Sequence, residues 1–304
     1  MFLGGNLKSK ATVLMAVCNG EKYLQEQIAS IQKQQDVNVK IFYSDDCSTD
    51  YSDKILTKNP ICRKLYETNG NRLGSAGSFL NLISLVKDID ELGDYIFLSD
   101  QDDIWLPNKM KEAILFLDNN FDCYSSSYFV AKNENMQRYK YVNKTFNNYK
   151  LTGTFKSPGP GFTYAFTKKS FLKIANSYYL SNYFPYSSVN VRWHDFLIFA
   201  VAIELGLNWK IDEKAHAVYR IHSNNDTGQL LSFGEFLKRT KYVLSGEFLK
   251  QVKLINKYRN DPISNLLKDQ SMIGKFHLAY HILKIERKIS HRILIIFSIL
   301  SNKN

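Results

Sequence analysis

The stretch Tyr95-Ile96-Phe97-Leu98-Ser99-Asp100-Gln101-Asp102-Asp103-Ile104-Trp105 limits what this chain can fold into more than any other. An apolar and aromatic run that ends abruptly in three carboxylates reads as a buried strand delivering acid groups to the edge of a sheet. Crevices at the carboxyl ends of strands are where α/β folds place their ligands. Asp100 and Asp102 stand two apart, so an extended backbone turns both side chains to one side, close enough to share a hard divalent cation. An acidic turn closing a strand is the plain alternative, and an isolated Asp-x-Asp does not exclude it.

Upstream, Thr12 to Val17 is a continuous apolar run, as in a central strand covered on both faces, and it ends at Cys18-Asn19-Gly20. Leu24, Ile28 and Ile31 then recur at helical spacing. Val37 to Tyr43 is rich in β-branched residues and runs into Ser44-Asp45-Asp46-Cys47-Ser48-Thr49-Asp50. Strand, helix and strand make a βαβ unit whose right-handed crossover puts Asn19, Asp46 and Asp100 on one edge.

Four later segments add chemistry. Asn69 to Phe79 is glycine-rich and enters a helix marked by Phe79, Leu82, Ile83 and Val86; it lacks the Gly-Lys-Ser/Thr of a P-loop, but a helix start near Gly74 suits a diphosphate. Pro107 opens a helix with Met110, Ile114 and Leu117 on one face, Phe121 to Ala131 reads as a strand, and the polar run Lys132 to Thr154 as a loop or hairpin. Ser157-Pro158-Gly159-Pro160-Gly161-Phe162 offers bare backbone to a ligand or forms a tight turn. Trp193-His194-Asp195 opens an apolar helix in which Asp195 is either a cap or a functional acid, and in Tyr219-Arg220-Ile221-His222 the lone histidine is either structural, merely exposed, or a ligand.

Taken together, Ala-Val-Cys-Asn-Gly-Glu-Lys-Tyr-Leu, Ser-Asp-Asp-Cys-Ser-Thr-Asp, Ser-Asp-Gln-Asp-Asp-Ile-Trp, the His-Asp helix and Tyr-Arg-x-His resemble, in order and interval, the family 2 glycosyltransferases, particularly rhamnosyltransferase-like members. The resemblance covers residues 12 to 228. It implies a GT-A type α/β fold, a Rossmann-like and mostly parallel sheet flanked by helices; the residues after 228 add a C-terminal basic helical extension. It further implies an inverting transfer of rhamnose or a hexose from a dTDP- or UDP-sugar to a glycan hydroxyl, with Mn²⁺ or Mg²⁺ as cofactor. By the same resemblance Ala16, Cys18, Asn19, Glu21, Asp46, Gly74, Asp100 and Gln101 bind the nucleotide sugar, Asp100, Asp102 and His222 the metal, and Asp195 is the catalytic base. In the family the acid at Asp46 contacts a pyrimidine base, and a carboxylate there would accept the imide N–H of uracil or thymine, which cytosine lacks. Cys18 departs from the Tyr that often stacks on the base.

Charge divides the chain. Residues 229–304 carry 14 Lys or Arg and 5 Asp or Glu, +9 of the total +11, which leaves 26 basic against 24 acidic for residues 1–228. The expected organisation is therefore a GT-A domain over 1–228, with its nucleotide-binding half at about 10–104 and its acceptor half at about 105–228, and a basic amphipathic tail over 229–304. In the tail Phe236, Leu237, Tyr242, Val243, Leu249, Val252 and Leu254 interleave with Lys238, Arg239, Lys241, Lys250 and Lys253. Such helices either pack back on the protein or dock on an anionic membrane surface; the family resemblance implies a lipid-diphosphate-linked glycan as the acceptor there. Cys18, Cys47, Cys62 and Cys123 lack metal or redox spacing, and no apolar run is long enough to span a bilayer, so a cytoplasmic enzyme, peripheral at the inner face of the cell membrane, is expected. A sugar-phosphate nucleotidyltransferase is the alternative enzyme, although the basic glycine-rich signature expected after its first strand is replaced by Cys18-Asn19-Gly20-Glu21. A non-enzymatic membrane- or nucleic-acid-binding module is the alternative of another class. Charge confined to the tail argues against a nucleic-acid partner.

Overall fold

The structure is a computed structural model that describes residues 8–68, 70–132, 138–146, 153–183, 191–222, 233–269, 271–285 and 289–301. Strand β1 (Ser9–Val17), helix α1 (Glu21–Gln32) and strand β2 (Val37–Asp45) form the expected unit, followed by α2 (Ser52–Thr57), β3 (Cys62–Glu67), α3 (Gly74–Val86) and β4 (Tyr95–Ser99). The four strands lie parallel in the order β3-β2-β1-β4. Alternation along each strand separates two cores, as a period of two dictates. Leu14, Phe42, Ile96 and Leu98 face α3, whereas Val13, Met15, Ile41, Tyr43 and Phe97 face α1. Both faces being covered explains the unbroken apolar runs.

The sheet then changes character. After β5 (Ile104–Trp105) and α4 (Lys109–Asp118), whose first residue lies two beyond Pro107, come β6 (Cys123–Lys132), β7 (Arg138–Val142), β8 (Ala165–Thr167), α5 (Lys168–Ala175), α6 (Tyr178–Ser181), α7 (His194–Glu204) and β9 (Trp209–Ile221). The order continues from β4 through β8, β6 and β9 to β5, with β7 pairing β6. β8 is antiparallel to β4 and β6, β6 is parallel to β9, and β5 is antiparallel to β9. Most of the paired register is parallel, with the antiparallel pairings confined to this second half. The run from Lys132 to Thr154 contains a hairpin arm, β7, and its remaining segments lie partly outside the described residues.

Helices α8 (Phe233–Leu244), α9 (Glu247–Ile255), α10 (Pro262–Lys268), α11 (Met272–Ile285) and α12 (Ile289–Ser301) make up the C-terminal extension. The junction at 228–229 and the side chains of Phe236 and Arg239 lie outside the described residues. Leu249, Val252 and Ile255 of α9 and Ile263 and Leu267 of α10 are buried in the same core as α3 and α7. Polar ties fix this docking: the Tyr183 hydroxyl bonds the carbonyls of Leu254 and Ile255 at 2.8 and 2.9 Å, and Asn256 Nδ2 donates to the Thr154 carbonyl at 3.1 Å. Asp261 caps α10 by accepting from the N–H groups of Ile263 and Ser264. For α9, packing on the protein is what its apolar face does.

Candidate active site

The loops after β1 and β2 are zipped together by reciprocal side-chain-to-backbone bonds. Asn19, held at a φ of 50°, donates its N–H to Ser48 Oγ at 2.9 Å and accepts from Thr49 N–H at 2.8 Å. Gly20 N–H donates to Ser52 Oγ at 2.7 Å, Glu21 N–H to Asp50 at 3.0 Å, and Tyr51 N–H to Glu21 at 3.1 Å. Asn19 and Glu21 thus shape this edge of the sheet through the neighbouring loop. Ala16, half-buried, pairs in register with Ser44 one residue before β1 ends.

Asp46 is buried, and its carboxylate accepts from Leu73 N–H at 2.7 Å, Gly74 N–H at 2.8 Å and Thr68 Oγ1 at 3.2 Å. The start of α3, where an anion is expected, already receives a carboxylate of the chain itself, so the Gly74 N–H is engaged inside the protein. A carboxylate has about four lone-pair sites, so the three accepted bonds leave Asp46 capacity for one more. Gln101 behaves similarly: its side-chain amide accepts from Cys18 N–H at 2.8 Å and donates to the Cys18 carbonyl at 2.9 Å, stapling the acidic loop to the end of β1. A β-carbon on Gly20 would collide with that amide, which is why glycine stands there.

Register brings the metal-binding candidates together. β5 pairs antiparallel with β9, Ile104 opposite Val218 and Trp105 opposite Ala217, which folds the acidic loop onto the end of β9. There His222 Nε2 lies 2.8 Å from Asp102 Oδ2. Tyr23 of α1 packs its ring 4.9 Å from the His222 ring and 4.6 Å from the Arg220 guanidinium, and Arg220 binds the Asp102 carbonyl at 2.9 Å and pairs with Glu26. Asp103 points inward and accepts from Arg220 N–H at 3.3 Å. Burial, reinforced by the charges of Asp102 and Asp100, pushes its carboxyl well above the ordinary carboxylate range. The Lys109 ammonium, buried 4.7 Å from the Trp105 ring centroid, is pulled by burial down to about 7.

A carboxylate and an imidazole touching at a sheet edge fit Mn²⁺ or Mg²⁺, whose other positions substrate phosphates and water can fill. Among the described residues no three His, Cys, Asp or Glu side chains gather as a ligand group, and Asp102 and His222 are the candidate pair seen in contact.

Asp195 lies in the first turn of α7, which begins after Trp193 as its capping residue. Its Oδ2 accepts from Ser157 Oγ at 3.1 Å, and the Tyr164 hydroxyl donates to its carbonyl at 3.3 Å. Burial pushes the Asp195 carboxyl above its ordinary value, opposed by bonds from Phe196 N–H and Ser157 and by the charge of Lys144. His194 stacks on Phe79 of α3 with ring centroids 4.1 Å apart, and a β-carbon on Gly161 would overlap its Nε2. One helix therefore serves both walls, as Asp46 fixes the start of α3 and Phe79 carries α3 against the residue before Asp195. Ser157, Tyr164, Tyr23 and Glu26 escaped sequence reading as site residues; only the dense Ser157–Phe162 turn signalled that backbone comes close there.

Comparison with known proteins identifies the family and the fold. The model of "Glycosyl transferase family 2" matches residues 12–176. A dTDP-rhamnosyl transferase of Shigella flexneri, RfbG, is 33% identical over 299 residues, 95% of this chain and 99% of the relative. Among solved structures, S. aureus TarS 1-349 in complex with UDP-GlcNAc aligns over 95% of this chain and 79% of its own with a TM-score of 0.56 at 15% identity. Mannosyltransferase PcManGT from Pyrobaculum calidifontis, in complex with GDP-Man and Mn2+, aligns over 94% and 79% with a TM-score of 0.53 at 14% identity. At such identities these two structures establish the GT-A fold alone.

Proposed function

The chain belongs to glycosyl transferase family 2 and is a glycosyltransferase using a nucleotide-sugar donor, and from that premise we propose that it transfers rhamnose from dTDP-rhamnose, with inversion, to a hydroxyl of a glycan acceptor. The observation that carries this reading is the Asp102–His222 contact at the carboxyl edge of the sheet, in a chain one-third identical to a dTDP-rhamnosyl transferase. Asp102 and His222 would hold Mn²⁺ or Mg²⁺ between them. When bound, such an ion offsets the charge that gathers on the departing diphosphate.

The chain's own residues do the rest. Gln101 and the zipped loops hold the donor edge rigid, and Asp46 turns its remaining acceptor capacity to the imide N–H of thymine. As the acceptor oxygen bonds to the anomeric carbon and the bond to the diphosphate breaks, Asp195 takes the hydroxyl proton. Its raised pKa, caused by burial, makes its carboxylate a stronger proton acceptor than an ordinary Asp. Ser157 fixes its direction, while Tyr164 holds the Asp195 backbone carbonyl. A single displacement inverts the configuration.

The acceptor in this reading is a lipid-diphosphate-linked glycan of surface polysaccharide synthesis, reached at the inner face of the cell membrane, and the excess of positive charge after residue 229 supports it. Release of dTDP from dTDP-rhamnose, measured beside UDP-glucose and UDP-galactose with and without Mn²⁺, tests the donor. Turnover of dTDP-rhamnose that chelation abolishes is the expected result; preference for a UDP-sugar, or turnover indifferent to chelation, contradicts it.

A further inference from the structure

Helices α11 and α12 are apolar on two faces. Their inner faces, Leu278 and Ile282 on one and Ile295 and Ile299 on the other, are buried in the core shared with α9 and α10. Their outer faces are apolar as well. On α11, Met272, Phe276, Tyr280 and Leu283 recur at intervals of four, four and three, flanked by Ile273, which is 70% exposed. On α12, Ile293, Phe297 and Leu300 repeat the pattern, with Ile293 at 62%. An apolar face left uncovered beside one already buried in the core calls for a further apolar contact, either a protein surface or lipid.

Charge decides between the occupants. From residue 270 onward Glu286 is the sole acid, against Lys275, Lys284, Arg287, Lys288, Arg292 and Lys303. Lys284 borders the apolar stripe, its Nζ 4.3 Å from the Tyr280 ring centroid. A second copy of this chain would set like charges against each other, whereas an anionic lipid surface complements them. Among the described residues no helix is long and apolar enough to cross a membrane, so contact of this kind is shallow.

We propose that the outer faces of α11 and α12 insert into the interface of an anionic bilayer, and that α9, whose apolar face is already spent on the core, does not. The proposal deepens the reading of a lipid-borne acceptor and can fail independently of it. The test is flotation of the full chain with vesicles of phosphatidylglycerol and phosphatidylethanolamine, beside vesicles of phosphatidylcholine alone. Binding to the anionic vesicles should exceed neutral binding by about tenfold. The triple variant Ile273→Gln, Phe276→Gln, Phe297→Gln should lose about tenfold in binding while keeping its Tm, since all three side chains already face outward. Lys250→Gln with Lys253→Gln on α9 should stay within about twofold of the parent. Equal partition into both vesicles, or a triple variant that floats like the parent, overturns the proposal. So does sedimentation velocity showing a dimer that the triple variant dissolves without any flotation of the parent, which would make this face a contact between copies. dTDP release measured on the same preparations reports the donor reading separately.

Discussion

Two regions of the site use carboxylates in opposite ways. In the loop after β2, acids are surrounded by hydrogen-bond donors: Asp46 accepts two backbone N–H groups and a hydroxyl, and hydrogen bonds from Ser52 and the Glu21 N–H outweigh burial to hold Asp50 below its ordinary value. On the opposite wall, burial outweighs the bonds from Phe196 and Ser157, and Asp195 is pushed up. An acid kept ionised serves to bind or to shape a loop, while an acid whose charge is costly gains from taking a proton. Environment, more than residue type, separates the roles.

The sharpest break of that contrast comes from its two extremes. Asp102→Ala should abolish ion-dependent turnover with the fold intact, because its carboxylate meets His222 at the sheet edge and packs no core. Asp195→Asn should lower turnover by about 10²- to 10⁴-fold while leaving donor KM nearly unchanged. Its Tm should not fall. A raised folded pKa means that the fold favours the protonated acid, a contribution present below the ordinary value and lost as pH rises through the folded value; above that folded value the buried charge is a cost that Asn removes. Turnover should decline as pH drops through that raised value. Ser157→Ala, which deletes a bond favouring the ionised form, should move this acidic limb to higher pH in a pH–rate profile.

How much of this was legible in the sequence depended on distance along the chain. The β1–α1–β2 unit, the acidic strand end and the helix opened by His194 could be read because each is a local pattern of period two or 3.6. The bonds that define the site join residues far apart: Gln101 to Cys18, Asp46 to Gly74, Ser157 to Asp195. They depend on strand register and on which loop meets which, and no local periodicity encodes that. The tail teaches the same lesson. Its alternation of apolar and basic residues marked amphipathic helices, but only packing shows that α9 turns its apolar side to the core while α11 and α12 carry a second apolar face outward.

Smaller effects sharpen the comparison further. Asp46→Asn keeps the shape but weakens the grip on Leu73 and Gly74, so it should lower stability by about 1 kcal/mol and raise donor KM more than it lowers kcat. Lys109 should leave turnover alone and appear only in stability. Its folded pKa of about 7 lies below its ordinary 10.5, so between those values the unfolded chain binds a proton that the folded chain does not, and stability rises with pH. Tm should climb over that window, and Lys109→Met should flatten the rise.

Calorimetric titration of dTDP-rhamnose in the presence of Mn²⁺ into the parent, Asp195→Asn and Asp102→Ala proteins tests the division of labour most directly. The account predicts that Asp195→Asn binds the donor within about twofold of the parent and that Asp102→Ala binds it at least about tenfold more weakly. Donor binding that survives the loss of Asp102 but collapses with Asp195→Asn would contradict it.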